Sequence, residues 1–86
     1  MSERAINGVR LVETCFACPE QYDAFIGDEQ VGYLRLRHGF FTVEVPDAGG
    51  REVLCEQPDG DGRFTDEERD LYLNAAVAAI LEERAP

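Results

Sequence analysis

Two runs of alternating apolar and polar residues meet at His38-Gly39, and that junction limits the fold more than any other part of the chain. From Val31 to Arg37 the alternation places Leu34 and Leu36 on one face and Tyr33, Arg35 and Arg37 on the other. A two-residue connection between antiparallel strands needs positive φ, which glycine adopts freely and histidine tolerates better than most residues. The register then follows: Arg37 faces Phe40, Leu36 faces Phe41, Arg35 faces Thr42, Leu34 faces Val43 and Tyr33 faces Glu44. Each core residue meets a core residue.

The flanking segments extend this hairpin into a sheet. Residues Val9 to Phe16 favour a strand, which Cys18-Pro19 ends because proline cannot donate to a ladder and restrains the residue before it. A strand from about Gln21 to Ile26 follows, then a turn at Gly27-Asp28-Glu29-Gln30. Matching parity predicts Tyr22 and Ala24 beside Leu36 and Leu34, with Asp23 opposite Arg35 and Phe25 by Tyr33. Turn formers fill Pro46 to Gly50, and Glu52 to Glu56 returns as the last strand.

The pattern changes at Gln57 to Glu68. Thr65 has the chemistry of an N-cap, and Glu68, three positions on, completes a capping box. Asp66 and Glu67 suit the positive end of the helix dipole. The helix is expected over 66–83, with Leu73, Ala76, Val77 and Ile80 on one stripe that packs against Leu34, Leu36, Phe41 and Val43. The 86 residues make one domain. The predicted fold is α+β: an antiparallel meander of four to five strands with one C-terminal helix packed on one face.

Charge narrows the partners. Eighteen acidic residues against eight basic ones, all arginine, leave a net charge of −10. Such a chain repels nucleic-acid phosphates and attracts basic surfaces, so direct binding to nucleic acid is not expected. No apolar run approaches the roughly 18 residues of a membrane span, and Met1-Ser2-Glu3-Arg4 lacks the order of a signal peptide. Three cysteines without a secretion signal fit a reducing compartment. The expected location is therefore the cytoplasm, without a membrane partner.

Cys18-Pro19-Glu20-Gln21-Tyr22-Asp23, Gly32-Tyr33-Leu34-Arg35-Leu36-Arg37-His38-Gly39, Gly60-Asp61-Gly62, Asp66-Glu67-Glu68-Arg69-Asp70 and Tyr72-Leu73-Asn74 together resemble a family of small bacterial and phage proteins, over about residues 15–81. The resemblance implies a compact domain in a mobile-element context and assigns no reaction. It favours a small acidic inhibitor of a host defence complex, of the anti-CRISPR kind.

Several groups of residues are candidates for chemistry. Aligned with a twelve-residue calcium loop, Gln57 to Glu68 places Asp59 third, Asp61 fifth, Gly62 sixth, Phe64 eighth and Glu68 twelfth. The first position is Gln57 where an aspartate belongs, and a strand-like segment precedes it where an EF-hand has a helix. A glycine-rich loop ending in a cap explains Thr65 and Glu68 without metal. Cys15, Cys18, His38 and Cys55 are a Cys3His zinc set by residue type. Sequential strand order separates Cys18 from Cys55 by about 14 Å, too wide for one ion. Cys15-x-x-Cys18 lacks the helix N-terminus that activates redox thiolates. No serine, cysteine or lysine is visibly paired with a base, so no catalytic residue is named and no enzyme is expected. The favoured expectation includes neither metal nor cofactor; a metal-binding domain using Asp59, Asp61 and Glu68, or the thiols, is the alternative.

Two surfaces remain. From Glu44 to Asp70 ten acids (Glu44, Asp47, Glu52, Glu56, Asp59, Asp61, Asp66, Glu67, Glu68 and Asp70) stand against three arginines, a local net of −7. This reads as a solvated surface or as a patch for a basic partner, one that normally grips nucleic acid. The sheet face away from the helix carries Phe25, Tyr33, Arg35, Arg37 and Phe40, a composition common at interface centres and at homo-oligomer contacts. Its alternatives are a face covered by Ile6 to Leu11 and a face left half-wet. The leading expectation is a small acidic protein-interaction domain, a phage-type inhibitor or nucleic-acid mimic acting on a nucleic-acid-handling complex.

Overall fold

The central hairpin forms as its alternation requires. In the computed structural model, which describes residues 3–15 and 19–84, His38 and Gly39 take φ of 55° and 79°. The five cross-strand pairs from Arg37–Phe40 to Tyr33–Glu44 all form. The strands are β1 (Glu3–Ile6), β2 (Val9–Glu13), β3 (Glu20–Ile26), β4 (Glu29–Arg37), β5 (Phe40–Val45) and β6 (Arg51–Glu56), followed by helix α1 (Asp66–Arg84). The six strands form one antiparallel sheet in sequence order. Among the described residues no helix is long and apolar enough to cross a membrane.

Two expectations about the sheet need correction. Among the described residues the sheet has six strands rather than four or five, because the N-terminal residues pair as a hairpin. Asn7 and Gly8, with φ of 50° and 85°, turn β1 back onto β2. The first expected strand is thereby split: residues 3–6 form one strand and 9–13 the next, while Phe16 lies outside the described residues. The register of β3 on β4 keeps the expected parity but is displaced by two residues. Tyr22 pairs with Leu34, Ala24 with Gly32, Asp23 with Tyr33 and Gln21 with Arg35. The turn causes the displacement. Only Gly27 and Asp28 lie between the strands, so β4 starts at Glu29, and an irregularity between Ala24 and Phe25 absorbs the mismatch.

One face of the sheet buries Val9, Leu11, Tyr22, Ala24, Leu34, Leu36, Phe41 and Val43 under Leu73, Ala76, Val77 and Ile80 of the helix. Gly32 allows that approach, since a Cβ there would lie 2.6 Å from Ile80 Cδ1. Ion pairs tie the helix to the sheet along its length: Arg4–Asp70 at 2.9 Å, Arg51–Glu83, and Arg84–Glu29 at 3.3 Å. The helix therefore starts over the end of the sheet that carries the His38-Gly39 turn and finishes over the opposite end.

Candidate interaction site

The segment between β6 and the helix is built around two carboxylates. Glu68 closes the first centre. Its Oε1 accepts the Asp59 N–H at 2.8 Å, and its Oε2 accepts those of Gly60 and Thr65, each at 2.8 Å. The Glu68 N–H donates to Thr65 Oγ1 at 3.3 Å, completing the expected capping box. Burial alone would raise the Glu68 pKa; the backbone donors outweigh it and hold the carboxyl below its usual range. Gly60 permits this closure, because a Cβ would lie 2.0 Å from the Arg63 carbonyl oxygen. A calcium loop turns oxygen ligands inward; this loop turns N–H groups inward onto Glu68. Thr65→Ala should cost about 1 kcal/mol by chemical denaturation, through loss of the cap; an unchanged midpoint would place the helix start elsewhere.

Glu20 is the second centre, and its side chain is fully buried. Tyr22 donates to it at 2.5 Å, the Phe64 N–H at 3.0 Å, and Arg69 through Nε at 2.9 Å and Nη2 at 3.3 Å. Arg63 stands 3.9 Å away and also meets Glu13 at 3.4 Å. The Glu20 N–H in turn donates to the Gly62 carbonyl. Desolvation would push the Glu20 pKa up, but hydrogen bonds from Arg69, Tyr22 and Phe64, with the Arg69 charge, hold it down. Burial and then the Glu20 hydrogen bond push the Tyr22 hydroxyl well up. The Glu20 bond chiefly raises Arg69. Above this network Phe64 stacks on Tyr72 at 5.5 Å and meets Phe41 edge-on at 4.9 Å. The loop is thus pinned to the sheet by a buried ion pair and to the core by an aromatic plug.

This frame holds the acidic residues out. Glu56, Asp59, Asp61, Asp66 and Glu67 are exposed at the His38 end of the molecule. Glu44, Asp47 and Glu52 lie in and beside the β5–β6 turn at the other end of those strands, so the ten acids are not one surface. Several are already engaged. Glu68 serves the loop, Asp66 pairs with Arg69 at 2.7 Å, Asp70 pairs with Arg4, and Glu44 accepts the Gly49 N–H at 3.0 Å. The helix adds one apolar side chain here: Leu71, 68% exposed, lies one turn from Glu67. Between Asp61 and the β4–β5 turn a depression of about 410 Å³ is lined by Pro19, Arg37, His38, Asp61 and Gly62.

The thiol set is not gathered. Cys55 sits on β6 opposite Thr42 and Cys15 follows β2 across the sheet, while Cys18 lies outside the described residues. Among the described residues no three His, Cys, Asp or Glu side chains converge as a metal site. Phe25, Tyr33, Arg35, Arg37 and Phe40 do share the outer face. Arg10 lies over Phe25 at 4.9 Å, and Tyr33 donates to Gln21 at 3.1 Å. Comparison with known family models, curated proteins and solved structures returned no match. The residues sequence reasoning missed are Glu13, Glu20, Tyr22 as a donor, Arg63, Arg69 and Leu71. Parity was the available signal: Glu20 alternates in phase with Tyr22 and Ala24, and Arg69 precedes Leu73 by one helical turn.

Proposed function

We propose that this chain is a small acidic protein-interaction domain that docks a basic surface of a partner protein through its loop-and-helix end. The carrying observation is Leu71, an exposed apolar side chain bordered by Glu67 and Asp70 near the capped start of the helix. An apolar spot with a charged rim is how protein interfaces are commonly built. Asp59, Asp61 and Glu67, with no basic partner among the described residues, supply long-range attraction for a positive surface. The finer reading is a phage-type inhibitor or nucleic-acid mimic that competes for the phosphate-gripping surface of a host nucleic-acid-handling complex, with no catalytic step of its own.

The test is affinity capture from host lysate at low and high salt, followed by competition with DNA or RNA for the captured partner. Charge reversal at Asp61, and Leu71→Ser, should each weaken capture about tenfold while leaving the melting temperature unchanged. Capture that ignores both salt and these substitutions would exclude the reading.

A further inference from the structure

We propose that the open face of the sheet is a homodimer interface, in which a second copy of this chain stacks on it with its strands running the opposite way. The helix covers only one face, so the side chains alternating with the core face no second layer. On that face β4 contributes Tyr33, Arg35 and Arg37, and β5 contributes Glu44, Thr42 and Phe40 directly opposite them. Glu52 of β6 pairs with Glu44.

The charges on this face are arranged in a way the single chain does not explain. Six of the eight arginines pair with carboxylates of the same chain: Arg4, Arg10, Arg51, Arg63, Arg69 and Arg84. Arg35 and Arg37, with carboxylates in more than twofold excess over arginines, have none within ion-pair distance among the described residues; Arg37 donates to His38 instead, at 3.2 Å. Two strand residues further along, Glu44 and Glu52 are direct cross-strand neighbours, a like-charge pair that opposes folding. The face therefore has a basic half and an acidic half. A two-fold axis lying between two such faces and running across the strands, between the Arg35–Thr42 and Tyr33–Glu44 rows, brings the basic half of each copy over the acidic half of the other. The arginines that lack a carboxylate of their own chain then lie over the like-charged Glu44–Glu52 pair, and by symmetry each contact is made twice.

The rest of the face suits the same occupant. It carries Arg10, Arg35 and Arg37 against Glu3, Asp23, Glu44 and Glu52, near balance on a chain whose net charge is −10. Two such faces meet with little net repulsion. Phe40, 46% exposed, and a depression of about 290 Å³ lined by Arg35, Arg37, His38, Phe40 and Thr42 offer relief into which a partner side chain fits. Stacked sheets keep their strands within about 30° of parallel or antiparallel, so the rows stay in register across the interface. The outward helix face with Leu71 lies on the other layer and remains available for a separate partner, so this inference does not depend on the basic-partner reading.

Sedimentation equilibrium tests it. The wild-type chain should sediment at twice 9.6 kDa in the micromolar range. R35E/R37E, with only Arg10 left against the acids of this face, should be monomeric, and so should E44R/E52R. An equimolar mixture of the two should recover the dimer mass, while circular dichroism and melting show each variant folded. Should E44R/E52R fail to fold, R35E/R37E against wild type carries the test through a dimer dissociation constant at least about tenfold weaker. A wild-type chain that stays at 9.6 kDa throughout that range would overturn the proposal, whether or not its face takes an anion or another protein. So would R35E/R37E that dimerises as well as wild type.

Discussion

Glu20→Ala should destabilise the domain by about 3–5 kcal/mol, the range expected when one partner of a buried ion pair is removed and the other is left uncompensated. Four donor atoms converge on this carboxylate, from Tyr22, the Phe64 amide and two nitrogens of Arg69. Removing it strands the Tyr22 hydroxyl in the core, leaves the Arg69 guanidinium with only Asp66 and the Phe64 carbonyl, and frees the loop end of the helix. Urea unfolding measures the effect. A loss below about 1 kcal/mol would mean that water replaces the carboxylate and that the network does not hold the loop. Replacing Glu20 and Arg69 together by apolar residues of similar volume should cost much less than Glu20→Ala, because no charge is then left unpaired.

The same groups set the pH dependence. Glu20 and Glu68 both have carboxyl pKa values depressed in the folded state, so their contribution is complete above the ordinary value of 4.5 and is lost as pH falls through the folded values. Tyr22 is shifted the other way. Its contribution is complete below its ordinary value of 10.0 and is lost as pH rises above it, when the unfolded chain ionises and the folded one resists. Melting temperature against pH should therefore fall on both flanks. Glu20→Gln should flatten the acid flank, and an unaltered acid flank in that variant would assign it to other carboxylates.

Phe64→Ala should cost about 3–5 kcal/mol, as for other large aromatic side chains removed from a core. Phe64 is 4% exposed and touches both Phe41 of the sheet and Tyr72 of the helix. It is the aromatic side chain that the loop contributes to the hydrophobic cluster, so its loss separates the loop from the core without altering a single charge. Binding of a basic partner should weaken together with stability in this variant, because Asp59 and Asp61 lose their fixed positions. Urea unfolding and affinity measured on the same protein check both. Binding unchanged in a loosened loop would show that net charge alone suffices.

Much of the fold was legible because its signals are local. Alternation around His38-Gly39 specifies the central hairpin to the residue, and Thr65 with Glu68 specifies the helix start. The β1–β2 hairpin was legible too, through Asn7-Gly8, the dipeptide that most favours a tight hairpin turn. It was missed because Glu3 to Ile6 is short and mixed in polarity, which hides its alternation. The displaced β3–β4 register has a different origin. Parity restricts a register to steps of two residues, and choosing among those steps needs the turn length, which Gly27 and Asp28 set only once paired strands close on them.

The function-bearing loop divides in the same way. Its sequence alone establishes a glycine-rich link, a cap and a concentration of acids, because each depends on residue type at short spacing. Whether Glu68 faces a cation or amides, and whether Glu20 is a surface acid or the anchor of the loop, depends on groups far apart in the chain. Arg69 reaches Glu20 across 49 residues and Arg63 reaches Glu13 across 50. Only the tertiary fold brings them together, since burial in a low-dielectric core makes these long-range pairs strong while leaving no periodic trace in the sequence.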